Sequence, residues 1–213
     1  MNHDNYWKLR GNNYLQEQRS NPKYIKDQLR IQEEKIINLL KNSTFNNVLE
    51  FGCGYGRFTK ILVEQLKPEN YVAIDISEGQ INNAKNYVNN DKVKFHCLKI
   101  QEFNSKEKFD LVFSAEVLMH IPFSNIEQVI KKMISLCSKK IVTIDWYNDQ
   151  KIGKESRGYC FMHDYSKLFM KMGVKSVKIQ KLPTSFSLKL LNAYFQIRGH
   201  SKSETQAIIE IDV

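Results

Sequence analysis

Apolar positions recur along the chain with two periods. Short runs rich in branched and aromatic residues, at 48–51, 71–76, 93–98, 109–115 and 140–146, read as strands. Between them the period changes. Phe58, Ile61, Leu62, Gln65 and Leu66 recur at three and four, as do Ile81, Ala84 and Val88, and then Ile126, Val129, Ile130, Met133 and Leu136. That is the spacing of helices with one buried face. Upstream, Pro22 opens a further helix with Ile25, Leu29, Gln32, Ile36, Leu39 and Leu40 on its inner side. Residues 1–21 are polar and read as an irregular arm, but Tyr6, Trp7, Arg10, Gly11 and Tyr14 suggest that it folds back over something or docks on the surface. Downstream come a polar loop at 147–160, a short helix at 166–172 stopped by Gly173, and two strands at 174–180 and 206–211. Between those strands, Leu188, Leu191, Tyr194 and Phe195 suggest a short amphipathic helix at an acceptor pocket or a dimer contact. Strands alternating with helices predict an α/β domain on a mostly parallel sheet.

The densest signal lies where the first strand ends. Val48-Leu49-Glu50-Phe51 runs into Gly52-Cys53-Gly54-Tyr55-Gly56-Arg57, and a helix begins directly after. Glycines at alternate positions between strand and helix allow positive φ and close approach of backbone to a ligand. The free N–H groups of the following helix face the same place, at the carboxyl end of a strand where open α/β sheets bind ligands. The pattern G-x-G-x-G lacks the third spacing of a dinucleotide fingerprint and the lysine of a phosphate loop. Glu50, two places before the first glycine, would repel a pyrophosphate and would suit a cationic ligand. Asp75 ends the second strand 19 residues after Gly56, a spacing suited to accepting ribose hydroxyls. Its alternative role is to cap the next helix. Ser77 to Gln80 has the form of a capping box.

Composition narrows the class. With 213 residues, 42% hydrophobic and 26% charged, the chain suits one soluble domain with a proper core. Its expected parts are a 1–44 arm and helix, a 45–146 cofactor-binding core and a 147–213 acceptor-side part. No apolar run approaches a membrane span, and the first residues lack an apolar signal segment. Cys53, Cys97, Cys137 and Cys160 are dispersed, without a C-x-x-C pair, so neither metal nor disulfides are expected and a reducing cytoplasm is the simpler setting. The net charge of +9 reads either as an anionic or RNA partner, or as a lysine-rich composition with no such meaning. The lysines are scattered and build no arginine-aromatic stripe.

The stretch around Glu50-Phe51-Gly52-Cys53-Gly54-Tyr55-Gly56 resembles motif I of the class I S-adenosylmethionine-dependent methyltransferases. The segment Phe109-Asp110-Leu111-Val112-Phe113-Ser114, followed by Leu118 and His120-Ile121, is similar to that family's fourth-strand segment. The resemblance implies a seven-stranded Rossmann-like sheet, mostly parallel with the last strand antiparallel, and helices on both faces. It implies S-adenosylmethionine as methyl donor, S-adenosylhomocysteine as product, and a donor site of Glu50, Gly52, Cys53, Gly54, Gly56, Arg57, Asp75, Ile76, Ile100, Gln101, Ser114, Glu116 and His120. The family's usual adenine-binding aspartate falls at Lys99, which cannot accept that bond, leaving Gln101, Glu102 or a backbone carbonyl to replace it. The motifs of the adenine-N6 and cytosine-C5 enzymes are absent. The Tyr6-Trp7 to Tyr14 segment looks like the arm of some bacterial methyltransferases found among sugar-biosynthesis enzymes.

A base for a hydroxyl acceptor would come from polar groups at strand ends on the donor side: His163, Glu116, Asp145 and Tyr165. His163 is the first choice, since an imidazole titrates near neutrality, with a helix-start packing role as its alternative. The expected acceptor is a small molecule such as a sugar or other metabolite, methylated at oxygen or nitrogen. The alternatives are an RNA or protein acceptor, or a non-catalytic cofactor-binding partner subunit. Monomer and homodimer stay equally open.

Overall fold

The computed structural model describes residues 3–156, 160–187, 189 and 205–213. Helices α1 (His3–Arg19) and α2 (Lys23–Leu40) precede strand β1 (Asn47–Phe51). There follow α3 (Arg57–Leu66), β2 (Asn70–Asp75), α4 (Glu78–Val88), β3 (Val93–Cys97), β4 (Phe109–Ala115), α5 (Ile126–Leu136) and β5 (Cys137–Trp146). A small hairpin, β6 (Glu155–Ser156) with β7 (Cys160–Phe161), leads to α6 (Tyr165–Lys171), β8 (Ser176–Lys181) and β9 (Gln206–Asp212).

Seven strands form one sheet in the order β3-β2-β1-β4-β5-β9-β8. Six strands run in one direction, and β9 inserts antiparallel to them between β5 and β8. The order reverses beside β1, so the carboxyl ends of β1 and β4 flank a crevice, the place where such sheets hold ligands. The central strands are buried on both faces: Leu49, Phe51, Val112 and Ile141 pack towards α5 and α6, whereas Val48, Tyr71, Leu111 and Val142 pack towards α2, α3 and α4. This two-sided burial explains why those strands read as continuous apolar runs.

The first 21 residues differ from the expectation of an irregular arm. Their polar composition hides a 17-residue helix, α1, whose mixed face gives little helical periodicity. The fifth strand starts three residues earlier than its apolar run, because Cys137 pairs with Phe109 ahead of a register shift. The polar loop after it contains the β6–β7 hairpin. Leu188, Leu191, Tyr194 and Phe195 lie outside the described residues. No helix among the described residues is long and apolar enough to cross a membrane.

Candidate cofactor and acceptor site

A cavity of about 240 Å³ opens at the crevice. Its floor is the β1–α3 turn, with Gly52, Cys53, Gly54, Tyr55 and Arg57 on the wall. The β2 tip adds Asp75 and Ile76, the segment after β3 adds Leu98, Lys99, Ile100 and Gln101, and the segment after β4 adds Glu116, Val117 and His120. Helix α1 closes the top with Trp7, Arg10, Gly11 and Tyr14. The aromatics of the expected arm therefore do fold back over something, and it is this cavity.

Gly54 sits at φ +55, and a Cβ there would find nothing closer than Gln80 Nε2 at 3.9 Å, so its missing side chain leaves open space for a ligand. Gly56 behaves differently. At φ +90 it precedes α3, and a Cβ would strike Val88 Cγ2 at 2.7 Å. It is absent from the cavity wall; its role is to let α3 pack against α4, which corrects its assignment as a ligand contact.

The two acids are held in different ways. Asp75 accepts from Gly54 N through Oδ2 and from Ser77 N through Oδ1, both at 2.9 Å. It thus ties the glycine turn to the start of α4, while Ser77 performs the actual capping by accepting from Gln80 N. Burial pushes the Asp75 carboxyl upward, and the N–H donors of Ser77, Gly54 and Ile76 oppose that shift. Glu50 is almost completely buried, and its Oε2 accepts from Thr59 Oγ1 at 2.6 Å and Tyr71 hydroxyl at 2.8 Å. Burial, only partly offset by these donors, raises it to about 7.

Glu116 adopts φ +58, a conformation that costs a non-glycine residue energy and is held by its surroundings. Its backbone N donates to Ile144 O at 2.6 Å. Its Oε1 accepts from Gln32 Nε2 at 2.9 Å and Gln206 Nε2 at 2.6 Å. Gln32, fully buried on α2, also accepts from Arg57, whose other nitrogen reaches Glu33 at 3.2 Å. Tyr14 stands close enough to Glu116 that its charge, added to burial, raises the phenol strongly. His120 packs against Trp7 with ring centres 4.3 Å apart, and Nδ1 lies 3.6 Å from Cys160 Sγ.

The remaining expected residues lie behind the cavity. Ser114 is buried and donates to Thr143 Oγ1 at 2.8 Å; Thr143 in turn donates to Asp145 Oδ2. Asp145 Oδ1 accepts from Met119 N at 3.0 Å, so it fixes the turn after β4 from below. Burial, with Glu116 adding to it, raises Asp145 to about 7. His163 Nε2 donates to Ile121 O at 2.9 Å, and burial lowers the ring to about 4. Tyr165, at the start of α6, is fully buried in the core. None of Ser114, Asp145, His163 or Tyr165 reaches the cavity wall, which corrects their placement as ligand contacts or bases; of the four base candidates only Glu116 does. The alternative reading of His163, packing at a helix start beside the cap Asp164, is the one the geometry bears out.

Sequence reasoning placed none of Trp7, Arg10, Tyr14, Gln32 or Gln206 in the site. For the first three the signal was present, as aromatics in a polar arm. The two glutamines gave none, because they reach Glu116 across 84 and 90 residues of sequence.

Fold and motifs together are those of the class I S-adenosylmethionine-dependent methyltransferases. A family model described as a methyltransferase domain matches residues 48–140. The chain is 32% identical over 102 residues to the malonyl-[acyl-carrier protein] O-methyltransferase of Priestia megaterium, covering 46% of this chain and 36% of that protein. The chain thus spans about a third of that relative's length. Its fold matches the N-methyltransferase NodS of Bradyrhizobium japonicum in complex with S-adenosylhomocysteine, with a TM-score of 0.66, 18% identity and 86% of both chains covered. It also matches magnesium protoporphyrin IX methyltransferase of Synechocystis with bound S-adenosylmethionine, with a TM-score of 0.71, 15% identity, and 100% of this chain and 97% of that one covered. S-adenosylmethionine is the methyl donor of the family. The residues present fit such a ligand: the cradle over Gly54 is open, and the three acids on the wall, Glu50, Asp75 and Glu116, favour a cation over a phosphate.

Proposed function

We propose that this protein transfers a methyl group from S-adenosylmethionine to a small-molecule acceptor, a sugar or another metabolite, at oxygen or nitrogen. One observation carries the reading: Asp75 is bonded to Gly54 N, so the glycine turn and the β2 acid form one wall of a single roofed cavity. Gly52, Cys53 and Gly54 would take the donor's backbone-facing side. Beyond the N–H groups it already accepts, the Asp75 carboxyl keeps acceptor capacity for a ribose hydroxyl. Ile76, Ile100, Gln101 and His120 would flank the base, with Gln101 the side chain able to replace the missing aspartate at Lys99. Glu50 and Arg57 bound the other end.

The donor supplies a methyl group already activated on a sulfonium, so the protein's task is alignment, worth up to roughly 7–11 kcal/mol in favourable cases. Glu116 would receive the acceptor's proton. It is the base candidate on the wall, and two amides fix its Oε1. The closed roof supports a small acceptor. Relatives named for malonyl-[acyl-carrier protein] and magnesium protoporphyrin IX support the same class.

Calorimetry with S-adenosylmethionine and S-adenosylhomocysteine tests the donor, and labelled-methyl transfer into metabolite and RNA pools tests the acceptor. Binding of both nucleosides with label in a metabolite is expected. Label confined to RNA would replace the acceptor class, and absence of binding would remove the donor.

A further inference from the structure

Two buried polar atoms on the cavity's walls lack a partner among the described residues: Trp7 Nε1, a donor, and Gln80 Oε1, an acceptor. Leaving such an atom unpaired costs about as much as the bond it forgoes, so native folds retain few of them. These two belong to different elements, α1 and α4, and the cavity is the space that adjoins both. Gln80 is buried, and its amide lies over Gly54, with Nε2 3.9 Å from where a Cβ on that residue would stand. Trp7 lies on His120 across the cavity mouth.

The docking of α1 explains how both come to face one space. A Cβ on Gly11 would fall 1.9 Å from Ser77 Oγ and 2.7 Å from Ser77 Cβ, so α1 rests on the start of α4 with no clearance. Ser77 Oγ also donates to Lys8 O at 3.4 Å. Further along, Trp7 rests on His120 and Tyr14 stands beside Tyr55, whereas the cation-π contacts of Arg10 to Tyr6, Trp7 and Tyr14 and the Arg10–Glu17 pair are internal to α1.

We propose that α1 is itself part of the donor site, with Trp7 Nε1 donating to, and the Gln80 amide oxygen accepting from, the nucleoside half of the bound donor. A nucleoside offers both complements, ring nitrogens as acceptors and ribose hydroxyls as donors. Ligand binding then satisfies one atom on each helix and locks α1 onto α4. The inference rests on the donor reading given above.

Trp7→Phe keeps the ring on His120 and deletes only the N–H; Gln80→Met keeps the side-chain length and deletes the acceptor. Each is titrated calorimetrically with S-adenosylhomocysteine beside the unaltered protein, with thermal unfolding recorded. Each should bind about 3- to 10-fold more weakly, the loss of one neutral hydrogen bond. In the unaltered protein, saturating S-adenosylhomocysteine should slow amide hydrogen exchange across 3–19. Affinities within twofold for either variant, or exchange in α1 indifferent to the ligand, would overturn the inference. An unaltered protein that binds no S-adenosylhomocysteine overturns the donor reading beneath it instead.

Discussion

Replacing Glu50 by glutamine should make the protein's stability less dependent on pH between 5 and 8. Glu50 lies almost wholly buried at the edge of the cavity with two donors on one oxygen, and burial lifts it from an ordinary value of 4.5 to about 7. Between those values the folded chain holds a proton that the unfolded chain has released. Stability therefore falls as pH rises through this window, and the loss is complete above about 7. The gap corresponds to roughly 3 kcal/mol at about 1.4 kcal/mol per pKa unit. Glutamine still accepts from Thr59 and Tyr71 but carries no charge to desolvate. Urea unfolding of both proteins at pH 5 and pH 8 isolates the effect, because the raised Asp145 contributes equally to each. Glu50→Gln should gain on the parent by about 2–3 kcal/mol on going from pH 5 to pH 8. A difference between the two proteins that stays constant across that range would refute the assignment of Glu50 as a carboxyl charged at a cost.

Three further outcomes follow from the same geometry. Asp75→Ala removes the acceptor of both Gly54 N and Ser77 N, and calorimetry should show S-adenosylhomocysteine affinity lowered at least about 10-fold, with stability down by about 1–3 kcal/mol. Glu116→Gln should keep donor affinity while turnover, once the acceptor is known, falls about 10²–10⁴-fold; unchanged turnover would exclude Glu116 as base. His163, lowered to about 4, should show no imidazole titration by NMR between pH 5.5 and 8, and its need to stay neutral should withdraw stability as pH falls from about 6.5 to about 4. For the same reason His163→Gln should leave S-adenosylhomocysteine affinity within twofold.

How much was legible in the sequence depended on the range of the interaction. The strand–turn–helix at 47–66 and the acid at Asp75 were visible because period, glycine spacing and strand end are all local. Helix α1 was not, since its polar sequence carries little helical periodicity, and Gly11 signals the contact with α4 only once Ser77 is opposite it. His163 and Tyr165 were read as cavity residues for a related reason. His163 and Tyr165 have the right chemistry at the right strand end, but the chain after β5 turns them under the loop at 118–122. Glu116 was visible as an acid at the end of β4, and its support by Gln32 and Gln206 belongs to the folded sheet alone.

The sheet's two outer strands carry a consequence for behaviour in a crowded solution. β8 presents Lys178 and Lys181 along one rim, and β3 presents Lys94 along the other. An open rim offers unpaired amides to any extended segment that drifts past, and lysine there makes a second copy of the same rim electrostatically unwelcome. Lysines along both rims, two of them already paired with Glu210 and Asp149, thereby help to guard against strand-to-strand clumping.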